Sequence, residues 1–270
     1  GPGARYQADG LFAVDRDGSR PRQLASRHAE EGIVATTGSR LETKLLPWHT
    51  YMLGQRGPQD SDHAYVASVD FVRGEVQSVD LLRLNTVTGA TEHVKRPGAT
   101  RSWLLDHRGE PRLATTREKN VMTVLYNDPA KNEWRTIASF NGYTGGPGAF
   151  DPVGFAPDGQ LYVNANAGAD KLGLHTFDIA ARRTAPEPLV KLADYDFRGS
   201  LVTSHDKLLG VRYLSDAKST VWFDPAMKEV QRKVDALLPS TVNLIGVAQR
   251  AEKPWVLVTS YSDRHPGVIS

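Results

Sequence analysis

Gly10-Leu-Phe-Ala-Val-Asp15, Leu81-Leu-Arg-Leu-Asn85, Thr123-Val-Leu-Tyr-Asn127, Leu174-His-Thr-Phe-Asp178 and Thr220-Val-Trp-Phe-Asp224 are five copies of one pattern. Each is a short apolar run that ends on Asp or Asn and then crosses a polar turn. The intervals from 85 to 127, 127 to 178 and 178 to 224 are 42, 51 and 46 residues. The interval from 15 to 85 is 70 residues, room for a loop insertion or a degenerate copy. A four-stranded unit returning at this period is the signature of a β-propeller.

A second series runs out of phase with the first. Asp106-His-Arg-Gly-Glu-Pro-Arg-Leu, Phe155-Ala-Pro-Asp-Gly-Gln-Leu-Tyr-Val, Ser204-His-Asp-Lys-Leu-Leu-Gly-Val and Arg250-Ala-Glu-Lys-Pro-Trp-Val-Leu-Val are each a turn followed by a strand, centred near 108, 158, 206 and 252. In Pro157-Asp158-Gly159, Pro presets φ and Gly accepts φ > 0. Each blade is therefore expected to hold an inner hairpin around this second turn and an outer hairpin after the Asp or Asn. That Asp or Asn reads as a turn closer, its short side chain accepting from backbone N–H groups two residues on. Asp15-Arg-Asp17-Gly18-Ser19 opens like a calcium loop. Its twelfth position is Ser26, which cannot supply the bidentate carboxylate that such a loop needs.

At 270 residues the chain is long enough for one all-β domain or two smaller ones, and the repeat covers nearly all of it, which favours one. Gly1-Pro2-Gly3 reads as the remnant of a cleaved expression tag, which leaves residues 4–270 as the propeller. About 40% of residues are apolar, but no run is long enough for a membrane helix. Net charge is only +2 with both signs interspersed, so no nucleic-acid-binding stripe is expected. The five Trp residues are scattered across the repeats and read as blade packing. There is no Cys, which excludes disulfides, thiolate catalysis and Cys-based zinc sites. Pro225–Leu238 carries Met227, Val230, Val234, Leu237 and Leu238 at near-helical spacing, yet it also fits an outer strand entering a loop, and the repeat favours the latter. Gly54–His63 and Asn141–Pro152 are the longest irregular stretches, the second an expected connection between blades.

No catalytic residue is legible. There is no Gly-x-Ser-x-Gly elbow. Ser61-Asp62-His63 holds triad residue types consecutively, and adjacent strand residues cannot form a linear relay. Ser215-Asp-Ala-Lys218 has Ser-x-x-Lys spacing but reads as a turn between strands. His28, His49, His63, His93, His107, His175, His205 and His265 show no metal-binding spacing, and each reads as a turn or surface residue. No metal or cofactor is expected. Glu75, in Arg73-Gly-Glu-Val, is the one candidate substrate-binding residue: in a channel-facing loop it would bind a cationic group, and otherwise it is a solvated loop carboxylate.

Phe155-Ala-Pro-Asp-Gly-Gln-Leu-Tyr-Val resembles the Ser-Pro-Asp-Gly strand-turn of TolB-like propellers and of the prolyl oligopeptidase family. Asp9-Gly-Leu-Phe-Ala-Val-Asp-Arg-Asp-Gly, Val79-Asp-Leu-Leu-Arg-Leu-Asn-Thr-Val-Thr-Gly and Val258-Thr-Ser-Tyr-Ser-Asp-Arg-His-Pro-Gly resemble the N-terminal propeller of bacterial dipeptidyl-aminopeptidase and acylaminoacyl-peptidase-like members. The resemblance implies a propeller capping an α/β-hydrolase that carries Ser, Asp and His. The hydrolase half has no counterpart here, so no catalytic residue is carried over.

The resemblance also implies a ring of seven or eight blades. At about 48 residues per blade this chain supplies five to six, so a truncated ring with open blade edges and self-association through them is expected. The implied partners are the parent hydrolase domain and peptide substrates, with neither nucleic acid nor membrane. A periplasmic or secreted parent follows if the family holds; a cytoplasmic one stays open. The alternative is a free-standing TolB-like or WD-type propeller that binds protein partners.

Overall fold

The computed structural model describes residues 10–26, 45–57, 61–250, 253–264 and 268–269. Gly1-Pro2-Gly3, His28, His265 and residues 251–252 of the fourth turn lie outside them. Among the described residues six sheets follow one another, each built from strands consecutive in sequence. This meander order, repeated sheet after sheet, makes the fold all-β and of the β-propeller class, with the five to six blades that the repeat predicts.

The first sheet holds β1 (Gly10–Ala13), β2 (Arg22–Ser26) and β3 (Leu46–Pro47). The second holds β4 (Thr50–Met52), β5 (His63–Val72), β6 (Glu75–Asn85) and β7 (Thr91–His93). The third holds β8 (Thr100–Leu105), β9 (Pro111–Glu118), β10 (Val121–Asp128) and β11 (Glu133–Asn141). The fourth holds β12 (Asp151–Phe155), β13 (Leu161–Ala165), β14 (Gly173–Asp178) and β15 (Arg183–Thr184). The fifth holds β16 (Gly199–Thr203), β17 (Leu208–Leu214) and β18 (Lys218–Trp222); then comes α1 (Pro225–Leu237), and β19 (Val242–Gly246), β20 (Leu257–Tyr261) and β21 (Val268–Ile269) form the sixth. Paired neighbours run antiparallel, for example Tyr65 opposite Arg83 and Val163 opposite His175. β2 and β3 instead form a short parallel pair.

The two turn series fall where the period puts them. Turns of the second series join β8 to β9, β12 to β13 and β16 to β17, the inner hairpins. Asp106 Oδ1 accepts from Arg108 N at 2.9 Å and Asp158 Oδ1 from Gln160 N at 3.0 Å. Asn85 closes the β6–β7 turn by accepting from Val87 N and Thr88 N, and Asp178 closes the β14–β15 turn by accepting from Ala181 N. After Asn127 the closing role passes one residue on, to Asp128, which accepts from Ala130 N. Residues 142–150 connect the third sheet to the fourth, with Asn141 Oδ1 accepting from Tyr143 N and Thr144 N.

Two expectations are corrected here. Pro225–Leu237 is an α-helix, standing where the repeat places an outer strand. Asp224 caps it, its carboxylate accepting from Met227 N at 3.0 Å, and Pro225 takes the first helical turn, where its missing N–H costs nothing. Met227, Val230 and Val234 share one face and join Leu209, Trp222 and Ile245 in a core. The Trp residues also divide: Trp103 and Trp222 are buried in packing, while Trp48 and Trp255 are exposed.

The chain divides into two compact units, Gly1–Leu105 with Gly109–Thr136, and Asp106–Arg108 with Ile137–Ser270. In the first unit, Tyr65, Ala67 and Val69 of β5 and Val79 and Leu81 of β6 pack against Trp103 and Leu105 of β8. The intervening residues Val66, Leu82 and Leu84 pack the other way, against Leu24 of β2. This is the period-two alternation of a strand buried on both faces. In the second unit, Tyr162 and Leu174 of the fourth sheet pack with Phe197 and with Val211 of the fifth. Each of these fully buried Leu side chains contributes about 2 kcal/mol of transfer free energy.

Candidate functional site

In the first unit the β5–β6 hairpin is much longer than its neighbours. β5 has 10 residues and β6 has 11, while the flanking β4 and β7 have 3 each. β4 pairs with β5 only over Val66–Ser68, and β7 with β6 only over Leu82–Leu84. One further bond, Val69 N to His49 O at 3.2 Å, ends the pairing on the β5 side. The hairpin therefore projects as a two-stranded tip. Arg73 and Gly74 turn it, with φ of +53° and +81°, the left-handed pair of a two-residue turn whose twist suits the flanking strands.

The two edges of the tip differ. On the β6 side, Arg101 Nη1 donates to Val76 O, and Trp103 Nε1 donates to Val79 O at 2.7 Å. On the β5 side no backbone partner lies beyond Val69 among the described residues. That open edge is bordered by rings. Trp48 and His49 meet edge to face at 5.9 Å between centroids, and His49 meets Phe71 at 6.4 Å. Trp48 is 56% exposed and Phe71 46%, and Tyr51, Met52 and Val72 are about half exposed beside them in sequence or register. Apolar side chains gathered this way on a projecting tip are what an interaction surface needs, where single exposed ones would be ordinary.

Glu75 is the first residue of β6, opposite Val72 across the turn, with its side chain exposed. The structure thus brings it to within a few residues of the ring cluster. The other sequence candidates stay apart. Ser61 Oγ accepts from His63 N, and Asp62 O accepts from Thr86 N and Thr86 Oγ1. Ser215–Lys218 is the turn from β17 into β18, with Ser215 N donating to Ala217 O. Asp15 is tied to Arg20 and Arg22, and the Arg20 hydrogen bond above all holds its carboxyl below the usual range. Asp17 is likewise lowered by the hydroxyl and N–H of Ser19. Among the described residues no group of three or more His, Asp or Glu side chains is placed to hold a metal ion.

The ring cluster was not legible in the sequence, because His49 and Phe71 meet only through the pairing of β4 with β5. The surface reading of the histidines is corrected at one position: His175, in β14, is 2% exposed. The fourth sheet also carries an open groove of about 720 Å³ lined by Asp158, Gln160, Thr176, Asp178 and Arg183.

No protein-family model matches the chain, and no curated protein matches it. Among solved structures it is similar to TolB from Acinetobacter baumannii, at 12% identity and a TM-score of 0.49, over 96% of this chain and 58% of that one. It is also similar to the β-propeller domain of the trilobed protease from Pyrococcus furiosus, at 9% identity and a TM-score of 0.37, over 82% of this chain and 71% of that one. The chain thus spans less than two thirds of the TolB chain's length. The propeller assignment rests on the strand order and the phased turns.

Proposed function

We propose that this chain is a non-catalytic propeller module that captures extended peptide at the β5–β6 tip, within a serine peptidase of the prolyl oligopeptidase type. The observation that carries this reading is the unpaired outer edge of β5 beside the Trp48–His49–Phe71 rings. An extended peptide adds to an open strand edge through backbone hydrogen bonds, and alternate side chains enter apolar pockets. Trp and Phe supply large contact areas at low entropic cost. Glu75 then receives the peptide's α-amino group. In such a parent the propeller screens a hydrolase, selecting extended substrates sterically and breaking no bond itself.

The test is fluorescence anisotropy with a labelled, unstructured peptide that has a free N-terminus and an apolar second residue. Glu75→Gln should weaken binding about tenfold, equivalent to about 1.4 kcal/mol. N-acetylating the peptide should cost the unaltered chain as much and cost the Gln variant nothing more. Binding indifferent to acetylation removes Glu75 from the site, and binding indifferent to Trp48→Ala with Phe71→Ala removes the site itself.

The same surface also suits the second reading, a free-standing TolB-like or WD-type interaction propeller. A coding sequence that continues past Ser270 into a Gly-x-Ser-x-Gly segment supports the peptidase parent, and a stop codon there supports the interaction module.

A further inference from the structure

In the second unit, β14 places an imidazole inside the fourth sheet. His175 is 2% exposed, and its Nδ1 lies 2.8 Å from Ala185 O. A carbonyl oxygen can only accept, so Nδ1 carries the proton. In the neutral ring Nε2 is then a bare lone pair. It has no hydrogen-bond partner among the described residues. It lines a cavity of about 230 Å³ together with Asn166, Lys171, Gly173, Glu187 and Lys191.

The cavity exists because residue 173 has no side chain. A Cβ there would stand 2.9 Å from Pro188 Cβ and 3.2 Å from His175 Nε2. Gly173 adopts extended backbone that any residue can take, so the space around Nε2, and not the chain conformation, is what glycine supplies.

A lone pair that opens on a polar cavity can take a donor from a molecule held there. The groups around it limit which donor fits. Of the side chains that line the cavity, Lys171 and Lys191 are cationic against the single carboxylate of Glu187, while Asp170, which meets Lys171, is 91% exposed and does not line it. Lys171 is 40% exposed and leans on Asp170 at 3.5 Å, and Lys191 makes no ion pair among the described residues. An anion is therefore favoured, but one whose oxygens are all bare would set lone pair against lone pair at Nε2. We infer that this cavity binds a small oxyanion that carries its own hydroxyl. The hydroxyl donates to His175 Nε2, and the charged oxygens accept from the two ammonium groups and the Asn166 amide. No bond forms or breaks and no proton changes hands.

The discriminating pair of probes is inorganic phosphate and sulfate. At neutral pH every form of phosphate keeps a P–OH, while sulfate has none. Each is titrated into the isotopically labelled chain, and the His175 ring nitrogens are followed by two-bond proton–nitrogen correlation. Phosphate should shift the Nε2 signal saturably, with sulfate at least about tenfold weaker. Lys171→Ala combined with Lys191→Ala, both at the cavity mouth, should lose about tenfold in phosphate affinity with the melting temperature unchanged. A His175 signal unmoved by tens of millimolar phosphate overturns the site. An equal response to sulfate overturns the assignment of the lone pair. A shift that survives loss of both lysines overturns the anion class.

Discussion

Gly159 sits at φ +84° in the turn between β12 and β13, its N–H donating to Ala156 O at 2.9 Å. A Cβ added there meets nothing within 4 Å, so any cost of substitution comes from the left-handed backbone alone. Gly159→Val should therefore destabilise the chain by about 1 kcal/mol or more in chemical denaturation. An unchanged midpoint would contradict the turn assignment. Residues like this one were legible in the sequence because their chemistry is local: Pro157-Asp158-Gly159 names its turn without reference to the rest of the chain. Asn85 and Asp178 were legible as turn closers for the same reason, while Asn127 is one residue out because Asp128 offers the same acceptor, the Asp15 turn is closed by Asp17, and Asp224 caps a helix instead. His175 was not legible. β14 is buried through Leu174, His175 and Phe177, on both faces, so alternation gives no clue that a polar residue lies inside. What keeps the imidazole there is Ala185 O, contributed from beyond β15.

At the scale of elements, α1 shows where repeat reasoning misleads. The period calls for a strand after Asp224, but Asp-Pro at the start and apolar residues at helical spacing decide the local structure. The helix is then held by side chains that no periodicity displays. Trp222 Nε1 donates to Gln231 Oε1 at 3.0 Å, and Gln231 Nε2 donates to Asn243 O at 3.1 Å, tying α1 to β18 and β19. Asp224→Ala should cost about 1 kcal/mol through the lost cap, read by urea denaturation. The same carboxylate bonds Lys207 at 2.5 Å, and that bond first, with the Met227 N–H after it, lowers its pKa. A lowered folded value means that the stabilisation is present above the unfolded aspartate value and is lost as the pH falls through the folded one. Lys207 is raised by the same bond, so its share is present below the unfolded lysine value and lost as the pH rises through the folded one. The stability gap between the unaltered chain and Asp224→Asn, which keeps the cap acceptor, should therefore be widest near neutrality and close in acid. A gap independent of pH would mean that the ion pair contributes nothing.

At the scale of whole sheets, central strands bury residues on both faces. β6 illustrates it: Leu81 packs toward β8 and Leu82 toward β2. Leu81→Ala should accordingly cost about 2–5 kcal/mol in chemical denaturation, the range for a fully buried leucine that leaves a cavity. A cost below 1 kcal/mol would contradict burial on that face. A count of about five to six blades and the meander order were legible because two turn series share one period. The proposed binding surface was not, because the open edge is made where the period fails: β5 and β6 outrun their neighbours. Hydrogen–deuterium exchange followed by mass spectrometry, with and without an unstructured peptide in excess, reads this most directly. Peptide should slow exchange in residues 46–53 and 69–77 and should itself be recovered at unchanged mass. Unaltered exchange in both segments, or a cleaved peptide, would contradict a propeller that captures peptide at this tip without cutting it.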